Sequence, residues 1–287
     1  MGLFKKKEVI EKEPQYYMSA TNVQILNYKV YYMSIVEKIL YFLIAFVLGA
    51  AVGYLFYGGI GKNEYGMATT TTKVLNVLIP TTVGLIAGKL FLPIRVEQIM
   101  AKRHKNLSNQ FRDMLEGLTT SLGAGNNTTD SFVAVYNDMK IQYEEDAYII
   151  KELAIIVSGI HNNILIEDLI YDFGMRSGNG DILSFADVFK ISYRKGGNIK
   201  DIIRNTHNIL SEKMEIGADI ETIVTSMKTE QNLMIVMPIA LIGVIKMMSP
   251  EMSANYATAT GIMSTTIAIV FFVGAYFIGR IVLNIKI

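Results

Sequence analysis

The 287-residue chain is 51% hydrophobic and only 18% charged, with a net charge of +1, and its apolar residues are gathered into a few long runs. That segregation excludes an ordinary soluble domain and predicts an integral membrane protein. No cysteine is present, which excludes disulfides and thiolate metal sites.

Residues 1–38 are polar and tyrosine-rich, with Lys5, Lys6 and Lys7 in a row, and read as an N-terminal arm on the membrane surface. The first apolar run begins only at residue 39, too far in for a secretory signal peptide. Ile39 to Tyr57 is nineteen uncharged residues, about 28 Å of helix and enough to cross a bilayer core. The glycines that follow, Gly58, Gly59 and Gly61 with Lys62, have only a superficial likeness to a phosphate loop. Phe56 stands where the first glycine should be, and Asn63 replaces the serine or threonine. Val74 to Ile94, interrupted by Lys89, makes a second span and closes a transmembrane hairpin over 39–94.

Residues 95–232 carry fifteen basic and twenty acidic side chains, a balance that disfavours nucleic acid as a partner. The apolar spacing predicts a six-helix bundle here. The first helix runs from Leu107 to Leu122, with Leu107, Phe111, Leu115, Leu118 and Leu122 on one face and Gly123 and Gly125 ending it. A second starts at Asn127, and a third covers Glu144 to Ile160, with Glu144, Glu145 and Asp146 in its first turn facing the positive end of the helix dipole. A fourth covers Ile164 to Phe173, stopped by Gly174, Gly178 and Gly180. The fifth, Asp181 to Arg194, carries Ile182, Phe185, Ala186 and Phe189 at helical spacing. Gly196 and Gly197 close it, and Asn198 with Asp201 has the form of an N-cap opening the sixth. That last helix carries Ile199, Ile203, Ile209, Leu210, Ile220, Val224 and Met227 on an apolar face. It continues into an uncharged run, so it is read as a lever entering the membrane.

Leu233 to Met248, with Lys246 near its end, is the third span, and Pro238 inside it is expected to kink the helix or break it from the lever. The fourth span covers 261–283, uncharged to Gly279 and then closed by Arg280. Small residues in small-xxx-small spacing, Ala257 to Gly261 and Ala275 to Gly279, suit close helix packing or oligomer contacts. Basic residues gather before span one and after span two, at Arg95, Lys102, Arg103 and Lys105. The loops at 58–73 and 249–260 hold only Lys62, Lys73, Glu64 and Glu251. By the positive-inside rule the middle domain and both termini are cytoplasmic.

Nothing in these runs asks for catalysis, a cofactor or a metal. His104, His161 and His207 lie apart, without metal-site spacing. A transporter is the rival class for a four-span chain, yet apart from the Arg280 that closes the fourth, the charged residues within the spans are only Lys89 and Lys246, and these lie near span ends. The polar residues Asn76, Thr81, Thr82, Thr265 and Thr266 still allow a small cavity.

The strings QFRDMLEGLTTSLGAGNNTTDSF, from Gln110, and FADVFKISYRKGGNIKDIIRNTHNIL, from Phe185, with Pro238 in the next apolar run, resemble the type II secretion system F domain. The layout of two spans, a helical domain and two further spans resembles the Tad or Flp pilus platform proteins, with the basic turn after Ile94 leaning towards the TadB-like member over its TadC-like sibling. The resemblance covers about 95–285, and its motif falls on Phe111, Arg112, Asp113, Leu115, Leu122, Gly125, Phe185, Gly196, Gly197, Asn198 and Pro238. It implies an all-α, non-enzymatic platform in a bacterial inner membrane. The implied partners are a hexameric cytoplasmic secretion ATPase, pilin subunits, a related platform subunit or further copies of the chain, and membrane lipid. Type II secretion is the near alternative. Arg112, Arg194, Lys195, Lys200 and Arg204 are the charged candidates for meeting the ATPase.

Overall fold

The computed structural model describes residues 13–19, 23–61 and 67–282. The Lys5 to Lys7 run, Lys62, Asn63 and Glu64, the last residue of the fourth span and the side chains of Glu251 and Arg280 lie outside the described residues. Two short strands, β1 (Tyr16–Met18) and β2 (Gln24–Leu26), precede the helices α1 (Ile35–Tyr57), α2 (Thr70–Gly123), α3 (Thr128–Gln142), α4 (Tyr148–His161), α5 (Ile166–Ser177), α6 (Gly180–Arg194), α7 (Ile199–Met248), α8 (Pro250–Tyr256) and α9 (Ala259–Val282). Windows within α1, α2, α7 and α9 are long and apolar enough to cross a membrane, the make-up of a membrane protein. The chain divides into two compact units. One joins residues 1–32 to 96–214, and the other joins 33–95 to 215–287.

In the first unit β1 and β2 pair antiparallel, Tyr17 opposite Ile25. Strands of three residues are too short for their alternation to stand out in the sequence. Of the segment expected as a surface arm, the described residues 13–19 and 23–32 form a strap that belongs to the helical unit, and it includes a tyrosine, Tyr28, only 1% exposed. The core of this unit contains Leu107, Phe111, Leu115 and Leu118 of α2, Phe132 and Val135 of α3, Leu153 and Ile156 of α4, Phe173 of α5, Phe185 and Phe189 of α6, and Ile203 and Leu210 of α7. The rings of Phe111, Phe185 and Phe189 run in series, with centroids 5.4 and 5.7 Å apart, the spacing of favourable aromatic pairs. Ile209, expected on the buried face of α7, is 67% exposed, while its neighbour Leu210 is buried.

Several helix boundaries differ from the sequence reading. The helix of the second span does not stop near Arg95: α2 continues unbroken to Gly123. The stretch from Val96 to Lys105 is rich in Glu, Gln, Met, Ala, Lys and Arg and holds no glycine, so nothing there stops a helix. Likewise α7 runs through Pro238, and the proline does not part span from lever. Helix α4 starts at Tyr148 behind Ala147 as N-cap, so Glu144, Glu145 and Asp146 precede the helix and do not form its first turn. Helix α5 passes through Gly174 and ends at Gly178, whose φ of 64° is left-handed. Gly174 is needed for contact instead: a Cβ there would lie 2.7 Å from that of Ala186 on α6.

The second unit holds α1, α8, α9 and the remaining parts of α2 and α7. Glycines bring α1 and α2 together, since a Cβ on Gly49 would lie 2.6 Å from the Ala87 Cβ, and one on Gly84 would lie 2.7 Å from the Phe46 carbonyl oxygen. This is the small-residue packing expected between membrane helices. Polar side chains in the spans are satisfied close by. Thr81 and Thr82 donate to the carbonyls of Val77 and Leu78, Asn76 accepts from the Gly59 N–H at 2.9 Å, and Thr266 pairs with the Tyr57 hydroxyl at 2.9 Å.

Gly174→Ala is expected to overpack the α5–α6 contact and destabilise the protein by about 1–3 kcal/mol. Gly123→Ala, at a position with nothing within 4 Å of the added Cβ, is expected to be neutral or slightly stabilising. Denaturation of both variants of the full chain in mild detergent checks the contrast.

Candidate functional site

Two clusters of charged side chains organise the first unit, one buried and one exposed. The buried cluster is centred on Arg176, near the end of α5. Its guanidinium meets Glu152 of α4 with two parallel hydrogen bonds, Nη1 to Oε1 at 3.0 Å and Nη2 to Oε2 at 2.8 Å. Nε donates to Asp172 one turn back at 2.8 Å, and Nη1 also reaches the Leu26 carbonyl at the end of β2 at 3.1 Å. Tyr28 completes the cluster. Its hydroxyl donates to Glu152 Oε1 at 2.9 Å and its backbone N–H donates to the Arg176 carbonyl at 3.0 Å. His104 Nε2 of α2 donates to the Tyr28 carbonyl at 2.8 Å. The strap is thus tied to α2, α4 and α5 by polar groups that are almost all out of water.

The electrostatics follow from that burial. Desolvation, then the charge and hydrogen bond of Glu152, raise the Tyr28 phenol well above its ordinary value. Burial alone lowers the Arg176 guanidinium, but the hydrogen bonds and charge of Glu152 and the charge of Asp172 outweigh it and the net shift is upward. A second phenol, Tyr143, is pushed up to about 12 by desolvation and by its hydrogen bond and proximity to Asp113. The sequence reading missed this network. Its only sign is a lone carboxylate, Glu152, in a run of isoleucines and leucines, since helix periodicity says nothing about a partner 24 residues away.

The exposed cluster sits at the α6–α7 corner. Gly196, at φ 70°, and Gly197 close α6 in a Schellman arrangement, with Gly197 N–H donating to Ser192 at 2.8 Å and Gly196 N–H to Tyr193 at 3.4 Å. Asn198 then accepts from the Asp201 N–H at 3.3 Å, and the Asn198 amide also contacts the Asp201 carboxylate. The corner holds four of the five candidate contacts, but not in equal states. Arg194 is engaged by Glu167 and Asp168 at the start of α5, each at 3.1 Å. Arg204 pairs with Asp201 at 2.8 Å. The ammonium groups of Lys195 and Lys200 are exposed and have no hydrogen bond or ion pair among the described residues. Arg112 is elsewhere, paired with Asp113, which also accepts from Tyr143.

The remaining motif residues divide by position. Phe111, Leu115 and Phe185 are buried and Leu122 packs against the same core. Gly125, at φ 96°, ends α2 in a second Schellman arrangement, with Asn126 N–H donating to Ser121 at 3.3 Å. Pro238 lies in α7 and lines a cavity with α1 and α9. Among the described residues no three His, Asp or Glu side chains are grouped to hold a metal ion. In comparison with known proteins, no family model, curated protein or solved structure matches this chain.

Arg176→Ala or Glu152→Ala is expected to destabilise the full chain by about 3–5 kcal/mol, because each leaves a buried charge unpaired. The double change Arg176→Met with Glu152→Leu is expected to recover most of the loss, read as a denaturation midpoint in detergent. Both Tyr28 and Tyr143 bind their protons more tightly folded than unfolded. Stability is therefore expected to hold up to the ordinary phenol value of 10.0 and to fall as pH rises from there towards about 12. Tyr143→Phe is expected to flatten that fall, which denaturation across this pH range would measure.

Proposed function

We propose that this chain is the inner-membrane platform protein of a Tad/Flp-type, type IV-like pilus assembly machine, a TadB-like member of the type II secretion F domain family. In this role it couples a hexameric cytoplasmic secretion ATPase to pilin extraction from the membrane, without catalysis of its own. The observation that carries the reading is the placement of a helical unit between two pairs of candidate spans, with α2 and α7 each holding a membrane window and part of that unit in one unbroken helix.

The strap adds support for the orientation. Tyr28 lies before α1 in the chain, yet it is bonded to Glu152, 124 residues later. If α1 crosses a bilayer, α2 has to return across it, which puts the N-terminal segment and the helical unit on one side. Read with the basic residues beside the spans, that side is the cytoplasm.

The proposed ATPase contact is Lys195 and Lys200, exposed cations with no hydrogen bond or ion pair among the described residues, at a corner fixed by glycine and asparagine caps. Co-purification in mild detergent with the secretion ATPase encoded nearest to the gene tests this. Lys195→Glu with Lys200→Glu is expected to weaken association about tenfold or more and to leave the melting temperature unchanged. Arg194→Glu is expected to lower the melting temperature itself, because it opposes Glu167 and Asp168. No association of the unaltered pair would overturn the proposal.

A further inference from the structure

Within the second unit α1, α7, α8 and α9 enclose a cavity of about 520 Å³, within the size range of ligand sites, about 300–1,000 Å³. Its walls are almost wholly apolar, formed by residues such as Phe56, Ile239, Ile242, Ala268 and Phe272. Pro238 is among the lining residues, and without an N–H it cannot complete the helix bond to the Met234 carbonyl.

Three observations together select the occupant. The walls come from three of the helices that carry membrane windows, so the surrounding solvent is hydrocarbon, and a recess this apolar does not hold water. Along α9 the cavity extends from Ser264 to Tyr276, about 18 Å of helix, close to the about 15 Å of one leaflet of a bilayer core. At one end Tyr256 and Phe56, both lining residues, hold a cation in place: Lys246 Nζ donates to the Phe56 carbonyl at 3.3 Å and lies 5.5 Å from the centroid of the Tyr256 ring. A long apolar slot with an ammonium group at its mouth matches a molecule with one phosphate and a leaflet-length tail.

We infer that this cavity is a binding site for a glycerophospholipid, which lays one acyl chain between α7 and α9 and sets its phosphate against Lys246. The site needs the protein to be in a membrane and does not depend on the platform role. A bound chain packs against Pro238 and Ala268, both lining residues, so the lipid acts as part of the structure.

The full chain, reconstituted in vesicles of phosphatidylcholine and phosphatidylglycerol containing a phosphatidylcholine with a photoactivatable acyl chain, is irradiated and mapped by mass spectrometry. It is then washed in mild detergent and its retained phosphorus measured. The expected result is labelling concentrated on 235–242 and 264–276, with about one phospholipid retained per chain. Ala268→Trp, which fills the slot, is expected to abolish both. Lys246→Gln, which leaves the walls intact and serves if the tryptophan variant misfolds, is expected to cut retention at least fivefold with an unchanged melting temperature. Labelling spread evenly over all lipid-facing helices, retention equal in the wild-type chain and Lys246→Gln, or co-purification of a second polypeptide cross-linked to 264–276 in place of lipid would overturn the assignment.

Discussion

The buried pair of Arg176 and Glu152 is the constraint on which the helical unit depends. Taking two charges out of water is costly, and the pair is tolerable only because nearly every donor and acceptor around it is used. Glu152 accepts from Arg176 and Tyr28, while Arg176 donates to Glu152, Asp172 and the Leu26 carbonyl. An apolar replacement of equal volume would hold helices together at least as well. What it would not do is set register. A bidentate contact and a tyrosine hydroxyl fit in one arrangement of strap, α4 and α5, whereas isoleucine against leucine fits in several.

The second unit is held by other means. Glycines let α1 and α2 approach at backbone distance, threonines return their hydroxyls to their own helices, and none of the apolar window of α7 is buried within the chain. Such a surface is stable only against hydrocarbon or another apolar body. One half of the protein thus carries its own core, and the other borrows much of its packing from what surrounds it.

Much of this was legible in sequence, and the exceptions have physical causes. Apolar run length located four candidate spans, and spacing of three and four residues located the core positions Phe111, Leu115, Phe185 and Phe189. The glycines at 125, 178 and 196 marked true ends because each takes a left-handed backbone. Gly174 misled, since a glycine that permits helix contact looks the same in sequence as one that ends a helix. The continuity of α2 was hidden because a change of solvent from lipid to water looks like a boundary, although the backbone has no reason to stop there. Among the candidate contacts, charge alone did not separate the exposed Lys195 and Lys200 from Arg194 and Arg204, which are occupied within the chain. The strap was least legible of all, because the partners of Tyr28 and Leu26 are 76 to 150 residues away and no local pattern encodes so distant a contact.

That distance has a consequence for biosynthesis. The strap leaves the ribosome before α4 and α5, so the partners of the Tyr28 hydroxyl and N–H are not yet made, and α1 and α2 with their candidate membrane windows are translated in between. β1 and β2 have each other to pair with from the start, but Tyr28 must wait for Glu152. Docking of the strap on α4 therefore closes a loop of 124 residues that contains α1 and α2. A chain in which only one of α1 and α2 crossed a bilayer would hold Tyr28 on the far side from Glu152 and Arg176, so the same bonds also check that both helices crossed.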